Sequence, residues 1–205
     1  MIGTVAIADR EAPSGSVTAR RAQRRDQILA AAWEIATESG LGAVSLHEVA
    51  RRVGIRQPSL YGYVSSKLDL YDAMFGQAYE QLLARLDGAP AGGTAREQLV
   101  RVSRTVLDFV VESPPRQQLL FQRTIPGFEP SAASYALAKR LVDRCVGLLS
   151  ALGAGSPAQV DVYTSLIAGL GAQQVANDPA GDRFTRHLER LLGAFLDHFV
   201  PEDPS

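Results

Sequence analysis

Residues 44–67 read VSLHEVARRVGIRQPSLYGYVSSK, and this stretch decides the fold. Apolar residues recur at helical spacing on both sides of Gly54; they are Leu46, Val49, Ala50 and Val53 before it and Ile55, Leu60 and Val64 after it. A glycine between the two sets tolerates a tight turn that would strain a residue with a side chain. Two short helices joined by such a turn are typical of a helix-turn-helix, whose second helix can enter the major groove of DNA.

The ends of these helices carry their own signals. Ser45 begins a Ser-x-x-Glu pattern, the capping box that satisfies free backbone N–H groups at a helix start. Pro58 has no backbone N–H and is tolerated only in the first turn of a helix. It therefore predicts a second helix over residues 57–63. Ser66, with an aspartate three residues on, repeats the capping pattern and predicts that another helix begins at Lys67.

These residues resemble the DNA-binding domain of the TetR (tetracycline-repressor-like) family of bacterial transcriptional regulators. The similarity covers roughly residues 20–70 and is most specific in the run 57–61 followed by Lys67. Many family members have Leu-Tyr-x-His-Phe and then a lysine three residues on. In this chain Tyr63 stands at the histidine position and Val64 at the phenylalanine position.

Charge is unevenly distributed, although the net charge of the 205 residues is only −1. Residues 16–67 contain eight basic and four acidic residues, a balance of +4 that leaves −5 for the rest of the chain. A basic segment on an acidic remainder suits a protein that presents one end to phosphates. Arg51 and Arg52 taken alone fit a solvated helix face, but the whole cluster beside a helix-turn-helix favours attraction to phosphate.

The chain has features of a cytoplasmic protein. Cys145 is the only cysteine, so an intrachain disulfide is impossible, which fits a reducing compartment. It lies on the apolar side of a predicted helix, and we expect it to be a small core residue. No apolar run approaches the ~20 residues that a membrane span needs. Charged residues 9–11 occupy the place where a signal peptide needs an apolar segment, so we expect no export signal and no membrane contact.

Helical spacing of apolar residues continues to the end of the chain, without the period-two alternation of strands. The predicted fold class is all-α, with about nine helices in an N-terminal three-helix helix-turn-helix head and a C-terminal helical body. Outside the segment 44–67, helices are predicted at about 20–39, 67–87, 94–111, 116–123, 131–152, 157–177 and 181–199. The predicted domains are a disordered arm (1–19), a DNA-binding domain (20–66), a ligand-binding and dimerisation domain (67–200) and a tail (201–205).

Side chains at the front of the second helix match the chemistry of base edges in the major groove. Gln57 offers a bidentate amide to adenine, and Arg56 offers a guanidinium to guanine or to phosphate. Ser59 can reach either group, and Pro58 can pack against a thymine methyl. Gln57, Arg56 and Ser59 are therefore predicted to set sequence choice, whereas phosphate contacts set register and affinity.

Neighbouring residues are candidates for the phosphate contacts. Tyr61 and Tyr63 carry hydroxyls long enough to reach a phosphate, and Lys67 adds its charge to a helix N-terminus. Ser45 and His47 stand where members of the resembled family touch the DNA backbone or a base. Tyr61 fits a half-buried core aromatic nearly as well, Ser45 serves as a cap in any case, and His47 equally fits a solvated helix face.

A homodimer is expected, because one head covers too few base pairs to select a genomic site and two heads can read a palindrome. The last two helices are the candidates for its seam. The small-residue run 168–172 permits close helix approach, and Phe195 and Phe199 supply contact area. The resemblance implies the same seam, a four-helix bundle, although both helices equally fit the protein core.

The resemblance also implies a body that binds a small effector and changes the spacing of the two heads. Most ligand pockets are apolar with few fixed polar groups. The candidates of that kind are Phe75, Tyr79, Phe109, Phe121, Tyr135, Tyr163 and Gln174. The same residues fit a well-filled core. Because few charged residues fall at inner positions, a neutral or lipophilic effector is favoured.

The predicted function is a dimeric transcriptional regulator that binds double-stranded DNA, a repressor released from a palindromic operator by its effector. The alternatives are a helical enzyme and a helical adaptor whose helix-turn-helix does not bind DNA. Against an enzyme, His187 and His198 lie eleven residues apart without a metal-ligand pattern. The chain also lacks a glycine-rich phosphate loop and a nucleophile elbow, so no catalytic residue, metal or cofactor is expected. Against an adaptor stands the intact run 57–67.

Overall fold

The computed structural model describes residues 14–199, and of residues 14–16 it describes the backbone alone. As predicted, this part of the chain is all-helical, with nine α-helices and no strand. The helices are α1 (Ser14–Ser39), α2 (Leu46–Val53), α3 (Gln57–Leu60), α4 (Lys67–Asp87), α5 (Ala95–Val111), α6 (Pro114–Phe121), α7 (Ala132–Ala151), α8 (Pro157–Asn177) and α9 (Leu188–Phe199). Two short 3-10 helices, Leu41–Ala43 and Thr185–His187, precede α2 and α9.

The head consists of α1, α2 and α3, whose apolar faces meet in one small core. Its buried side chains are Ile28, Leu29, Ala32, Ile35, Leu41, Val44, Val49, Ala50, Leu60 and Val64. Gly54 turns the chain between α2 and α3 with φ of +71°, a left-handed conformation that residues with a side chain rarely adopt. The turn predicted at this glycine is therefore present, and it sets the angle at which α3 leaves α2.

The helix α4 belongs to the head and to the body. It packs against α1 on one side and against α5, α6 and α7 on the other. The indole N–H of Trp33 in α1 donates to Gln77 of α4 at 3.0 Å, so this half-buried tryptophan links the head to α4. In the body, α5 lies against α7, α8 and α9. None of the described helices combines the length and hydrophobicity of a membrane-spanning segment.

Two helices of the head differ in length from the prediction. α1 begins at Ser14 and not at residue 20, so residues 14–19 of the predicted arm are helical, while residues 1–13 and the tail 201–205 lie outside the described residues. α3 ends at Leu60 and not at Tyr63. After it, the N–H groups of Gly62 and Tyr63 bond to carbonyls only three residues back, at 3.4 and 2.8 Å. This tighter turn follows from the low helix propensity of glycine.

The body helices begin and end close to the predicted positions, with one exception. α6 begins at Pro114, two residues early, because proline is accepted in the first turn. The exception is α9, which begins at Leu188 where the prediction placed its start at residue 181. The intervening loop is held by a buried glutamine, Gln174 of α8. Its side-chain oxygen accepts from the backbone N–H of Phe184 (2.9 Å) and of Thr185 (3.2 Å), and its amide nitrogen donates to the carbonyl of Gly181 (2.9 Å).

This arrangement makes Gln174 a test of the α8–α9 loop. Gln174→Leu keeps the side-chain volume but leaves two backbone N–H groups and a carbonyl without partners, so we expect a loss of about 2–4 kcal/mol in the free energy of unfolding. Urea unfolding at a fixed protomer concentration measures it. The exposed Gln81 of α4 provides the control, and Gln81→Leu should change stability by less than about 0.5 kcal/mol. Equal stability of the two variants would contradict the proposed role of Gln174.

Candidate functional site

The front of α3 is open to solvent. Arg56, Pro58 and Ser59 are exposed, Gln57 is half-buried, and Tyr61 is 51% exposed. The Gln57 amide nitrogen lies 3.5 Å from the Tyr61 hydroxyl, so these polar groups share one side of the helix. We call these five residues the α3 surface. The exposure of Tyr61 excludes the alternative that it is a core aromatic.

Three other predicted contact residues lie at the starts of α2 and α4. Ser45 caps α2, where its hydroxyl accepts from the backbone N–H of Glu48 at 3.2 Å. His47, two residues on, is exposed. The ammonium of Lys67 donates to the carbonyl of Gly42 at 3.0 Å, so this lysine bridges the start of α4 to the 3-10 helix of the head. The predicted capping box at Ser45 is only half formed, because the Glu48 carboxylate turns to an arginine.

Acidic side chains of the head neutralise two of its arginines. Arg51 donates to both oxygens of Glu48, at 2.8 and 2.6 Å, and Arg52 donates to both oxygens of Glu38, at 2.9 and 2.8 Å. These hydrogen bonds lower the pKa of both carboxyl groups below their ordinary value, so the acids remain charged partners. Arg51 and Arg52 thus belong to paired surface networks. This agrees with the interpretation that these two arginines, taken alone, form part of a solvated helix face.

Other arginines of the head have no acidic partner. Within the described residues, the side chains of Arg20, Arg24 and Arg56 take part in no ion pair or hydrogen bond. Arg21 donates to the carbonyl of Gly62 at 3.0 Å, directly after α3. Together with this turn, the first part of α1 forms a groove of about 740 Å³. The lining residues are Val17, Arg20, Arg21, Gln23, Arg24, Gln27, Gly62 and Tyr63.

We call this feature the basic groove. Sequence reasoning counted its arginines but assigned none of them to the site, because the start of α1 was placed at residue 20. The available signal was the spacing of Arg20 and Arg24, four residues apart and therefore on one face of a helix. Tyr63, which was predicted, is half-buried in the groove, with the Arg21 guanidinium 5.9 Å from its ring centre.

A second candidate site lies in the body, where α4 to α8 border an open cavity of about 270 Å³. It is lined by Tyr79, Val106, Phe121, Leu141, Val142, Cys145, Tyr163, Thr164, Ser165, Ile167 and Ala168. Three predicted ligand contacts therefore meet there: Tyr79, Phe121 and Tyr163. The lining is mostly apolar and contains no Asp, Glu, Lys, Arg or His, which is the composition of a site for an uncharged molecule.

Four predicted ligand contacts lie outside this lining. Phe75 packs behind Tyr79, with ring centres 4.9 Å apart. Phe109 is buried under two guanidinium groups, which lie 4.9 and 3.9 Å from its ring centre. Tyr135 is 60% exposed on α7. Gln174 is used within the α8–α9 loop. These positions are inner or aromatic in sequence, but helix orientation turns them away from the cavity.

The polar side chains of Tyr163 and Cys145 in the cavity lining are neutral. The Tyr163 hydroxyl lies 2.8 Å from the Ser103 hydroxyl and 3.7 Å from the Cys145 sulfur. Burial raises the pKa of Tyr163 and of the Cys145 thiol above their ordinary values. Cys145 is therefore a buried, protonated thiol, as the sequence predicted, and lacks the thiolate of a reactive cysteine. Across the described residues, no three His, Cys, Asp or Glu side chains are grouped to hold a metal ion.

Comparison with known proteins agrees with this geometry. Residues 28–74, which span most of the head and the first part of α4, match the sequence model of "Bacterial regulatory proteins, tetR family". The HTH-type transcriptional activator FasR of Mycolicibacterium smegmatis is 32% identical over 103 residues, covering 50% of this chain and 47% of the relative. The HTH-type transcriptional repressor KstR of Mycobacterium tuberculosis is 28% identical over 171 residues, covering 83% of this chain and 66% of the relative.

The chain thus spans between about half and two thirds of the length of these relatives. A crystal structure of a TetR-family transcriptional regulator from Streptomyces coelicolor superposes with a TM-score of 0.68 at 21% identity, covering 94% of this chain and 98% of that one. This likeness extends the shared fold from the head to the body. The head motif, the matched relatives and the common fold agree: residues 28–74 form a domain of the tetR family of bacterial regulatory proteins, and the described residues share the fold of a solved TetR-family regulator.

Proposed function

We propose that the chain is a dimeric transcriptional regulator that binds a palindromic DNA operator and is released from it by a small uncharged effector. Such a protein represses transcription where its operator overlaps a promoter. The observation that carries the proposal is the exposed α3 surface, beside arginines that the acidic side chains of the head leave unpaired.

In this proposal the α3 surface enters the major groove. Gln57 and Arg56 read base edges with their planar polar groups, Ser59 adds a hydroxyl, and Pro58 packs against a thymine methyl. The Tyr61 hydroxyl, one turn from Gln57, contacts a phosphate at the edge of the groove. These assignments are supported by the exposure of four of the five side chains and by the half-buried position of Gln57 beside them.

Phosphate contacts come from the groups around the α3 surface. Arg20, Arg21 and Arg24 of the basic groove follow the DNA backbone on one side, together with Tyr63. Lys67, Ser45 and His47 approach it on the other. Because Lys67 and Arg21 already bond to backbone carbonyls of the head, they also keep that side of the head rigid. Such contacts add affinity for all sequences alike.

The second head is supplied by a copy of this chain that pairs through α8 and α9. Val162 (45% exposed) and Leu191 (37% exposed) are large apolar side chains on the outer faces of these helices. The small-residue run of α8 is divided between two faces. Gly169 has open space around it, whereas Gly171 lies against α5, where a Cβ atom would meet Val110 at 3.3 Å. Gly169 is therefore the residue that permits close approach of the partner.

The predicted seam aromatics face inward instead. Phe195 is buried, with its ring centre 5.1 Å from that of Phe199 and 6.3 Å from that of Tyr163. Phe199 is half-buried beside it. We therefore assign the seam to the outer apolar residues of α8 and α9 and assign Phe195 to the core beneath it.

The effector acts through α4, which reaches from the cavity to the head. Tyr79 lines the cavity and packs on Phe75, whose ring centre is 6.2 Å from that of Phe128 in the α6–α7 loop. Phe128 packs on Tyr71 at 6.0 Å, and the Tyr71 hydroxyl donates to the carbonyl of Leu41 at 2.5 Å. A ligand that prefers one orientation of α4 therefore changes the position of the head and lowers DNA affinity by its differential binding.

A gel-shift assay separates this function from its rivals. Salt-sensitive, sequence-selective binding to DNA from upstream of the protein's own gene supports the regulator, whereas absence of binding favours an adaptor or an enzyme. The names of the matched relatives, an activator and a repressor of transcription, favour the regulator.

The base-reading role of Gln57 predicts a loss of selectivity. Gln57→Ala removes a bidentate amide, so discrimination at one operator position should fall by about 1–3 kcal/mol, while affinity for unrelated duplex changes little. Gel shifts with operator variants at single positions measure it. Lys67→Ala is the comparison, since it should weaken operator and unrelated DNA together. An unchanged order of operator preferences in Gln57→Ala would remove this residue from the reading surface.

The basic groove predicts a change in salt dependence. Arg20→Gln removes one phosphate contact, so the slope of log K against log salt concentration should become shallower by ~0.9, with a similar loss of affinity for every sequence. Binding isotherms at several salt concentrations measure the slope. Arg140→Gln, at an exposed position on α7, is the matched control and should leave the slope unchanged. Identical slopes for both variants and wild type would exclude the groove from DNA contact.

The seam predicts that Leu191→Glu yields a monomer. In a dimer the two introduced carboxylates would be buried against each other without a positive partner. The free energy needed to bury them exceeds the free energy gained from the contact. Sedimentation velocity at micromolar protein measures the mass. Val17→Glu, an equally drastic change at a 68% exposed position of α1, should stay dimeric. A dimer for Leu191→Glu would mean that the copies meet elsewhere.

A further inference from the structure

The lining of the body cavity includes the hydroxyl of Tyr79. This side chain is 5% exposed, lines the cavity, and has no hydrogen-bond partner among the described residues. The other buried tyrosine of the lining is different. The Tyr163 hydroxyl is already engaged by Ser103 at 2.8 Å and approaches the Cys145 sulfur at 3.7 Å. Of these two buried tyrosines, only Tyr79 has a hydroxyl without a protein partner.

Polar groups with little access to water nearly always have a partner in proteins, and the 5% exposure of Tyr79 leaves its hydroxyl little water to bond to. Burial also raises the pKa of the Tyr79 phenol, with a smaller contribution from nearby Tyr135, so the group stays protonated at neutral pH. It is thus a neutral O–H donor facing an apolar space.

The residues around the Tyr79 hydroxyl limit which ligands can bind in the cavity. Val106, Phe121, Leu141 and Ile167 form apolar walls, and the lining offers no charged side chain to pair with an ion. A charged ligand would lose its hydration without compensation. The volume of about 270 Å³ lies just below the ~300–1,000 Å³ of common ligand sites. The site therefore suits a compact molecule.

We propose that Tyr79 is the specificity-determining residue of the effector site, and that its hydroxyl donates a hydrogen bond to the oxygen of a small, uncharged, largely apolar ligand such as an aryl or alkyl ketone. This inference rests on the proposed function, since it names the chemistry of the effector. Tyr79 then has two roles. Its hydroxyl bonds to the ligand, and its ring contacts Phe75, which belongs to the series of packed aromatic residues between the cavity and the head.

Two probes of matched shape test the hydrogen bond: acetophenone, which carries a carbonyl oxygen, and α-methylstyrene, which has a CH₂ group in its place. Their binding to the full chain is measured by ligand-observed NMR titration, for wild type and for Tyr79→Phe. We expect the substitution to weaken acetophenone about five- to tenfold, the effect of one net hydrogen bond, and to change α-methylstyrene less than twofold. Tyr135→Phe, at the exposed tyrosine nearby, should change neither.

A further variant ties the probes to this cavity. Ala168→Phe fills space in the lining and should abolish binding of both molecules. Thermal unfolding without probe provides an independent readout, because removal of a hydroxyl that has no protein partner should leave the Tm of Tyr79→Phe equal to or above that of wild type. A lower Tm would mean that the hydroxyl has a protein partner and would contradict the proposal.

The proposal is overturned if neither probe binds wild type, if Tyr79→Phe weakens both probes equally or neither, or if binding survives Ala168→Phe. Gel shifts of wild type and Tyr79→Phe without probe keep this outcome distinct from failure of the proposed function. If both proteins bind DNA, any of these results contradicts only the proposed role of Tyr79 in ligand binding. If neither protein binds DNA, the proposed function as a regulator is contradicted.

Discussion

The orientation of α3 depends on the burial of one side chain, Leu60. This helix has only four residues, too few to be stable on its own. Leu60 is fully buried, α3 packs on α2, and this side chain supplies the attachment that the short helix needs. The left-handed turn at Gly54 fixes the direction from which the helix arrives. Because Leu60 and Gly54 fix the position of α3, the side of the helix that faces solvent carries Gln57, Pro58 and Ser59.

A second constraint is that α4 is shared by the head and the body. Its first turns hold the head through Lys67 and Tyr71, and its middle lines the cavity through Tyr79. Hydrogen bonds from Ser131 to Asp72, at 2.7 and 2.8 Å, attach the same helix to α7. Because interfaces of this kind change between discrete packings and do not deform continuously, a small shift in the cavity can alter the angle of the head.

Sequence predicted the parts of the protein that local chemistry specifies. Gly54, Pro58 and the caps at Ser45 and Ser66 each act within a few residues, and α2 and α4 begin where these residues placed them. The all-α class and the positions of α7 and α8 followed from the period of apolar residues.

Features that depend on contacts between distant residues were not predictable in the same way. The α8–α9 loop is held by the Gln174 amide, whose pattern in sequence is that of any inner glutamine on a helix. Which aromatic side chains line the cavity depends on the orientation of their helices. Tyr79 and Tyr163 both line it, whereas Phe109 packs against arginine guanidinium groups. The basic groove needed the first turns of α1, and their glycine and serine content resembles that of an arm.

The central claim is that two copies of the α3 surface enter successive major grooves on one face of the duplex. Hydroxyl-radical footprinting on DNA from upstream of the protein's own gene measures this directly. The account predicts two protected clusters related by a twofold axis, with centres about one helical turn, ~10 base pairs, or a multiple of it apart. A single protected cluster, or uniform protection along the DNA without symmetry, would contradict it.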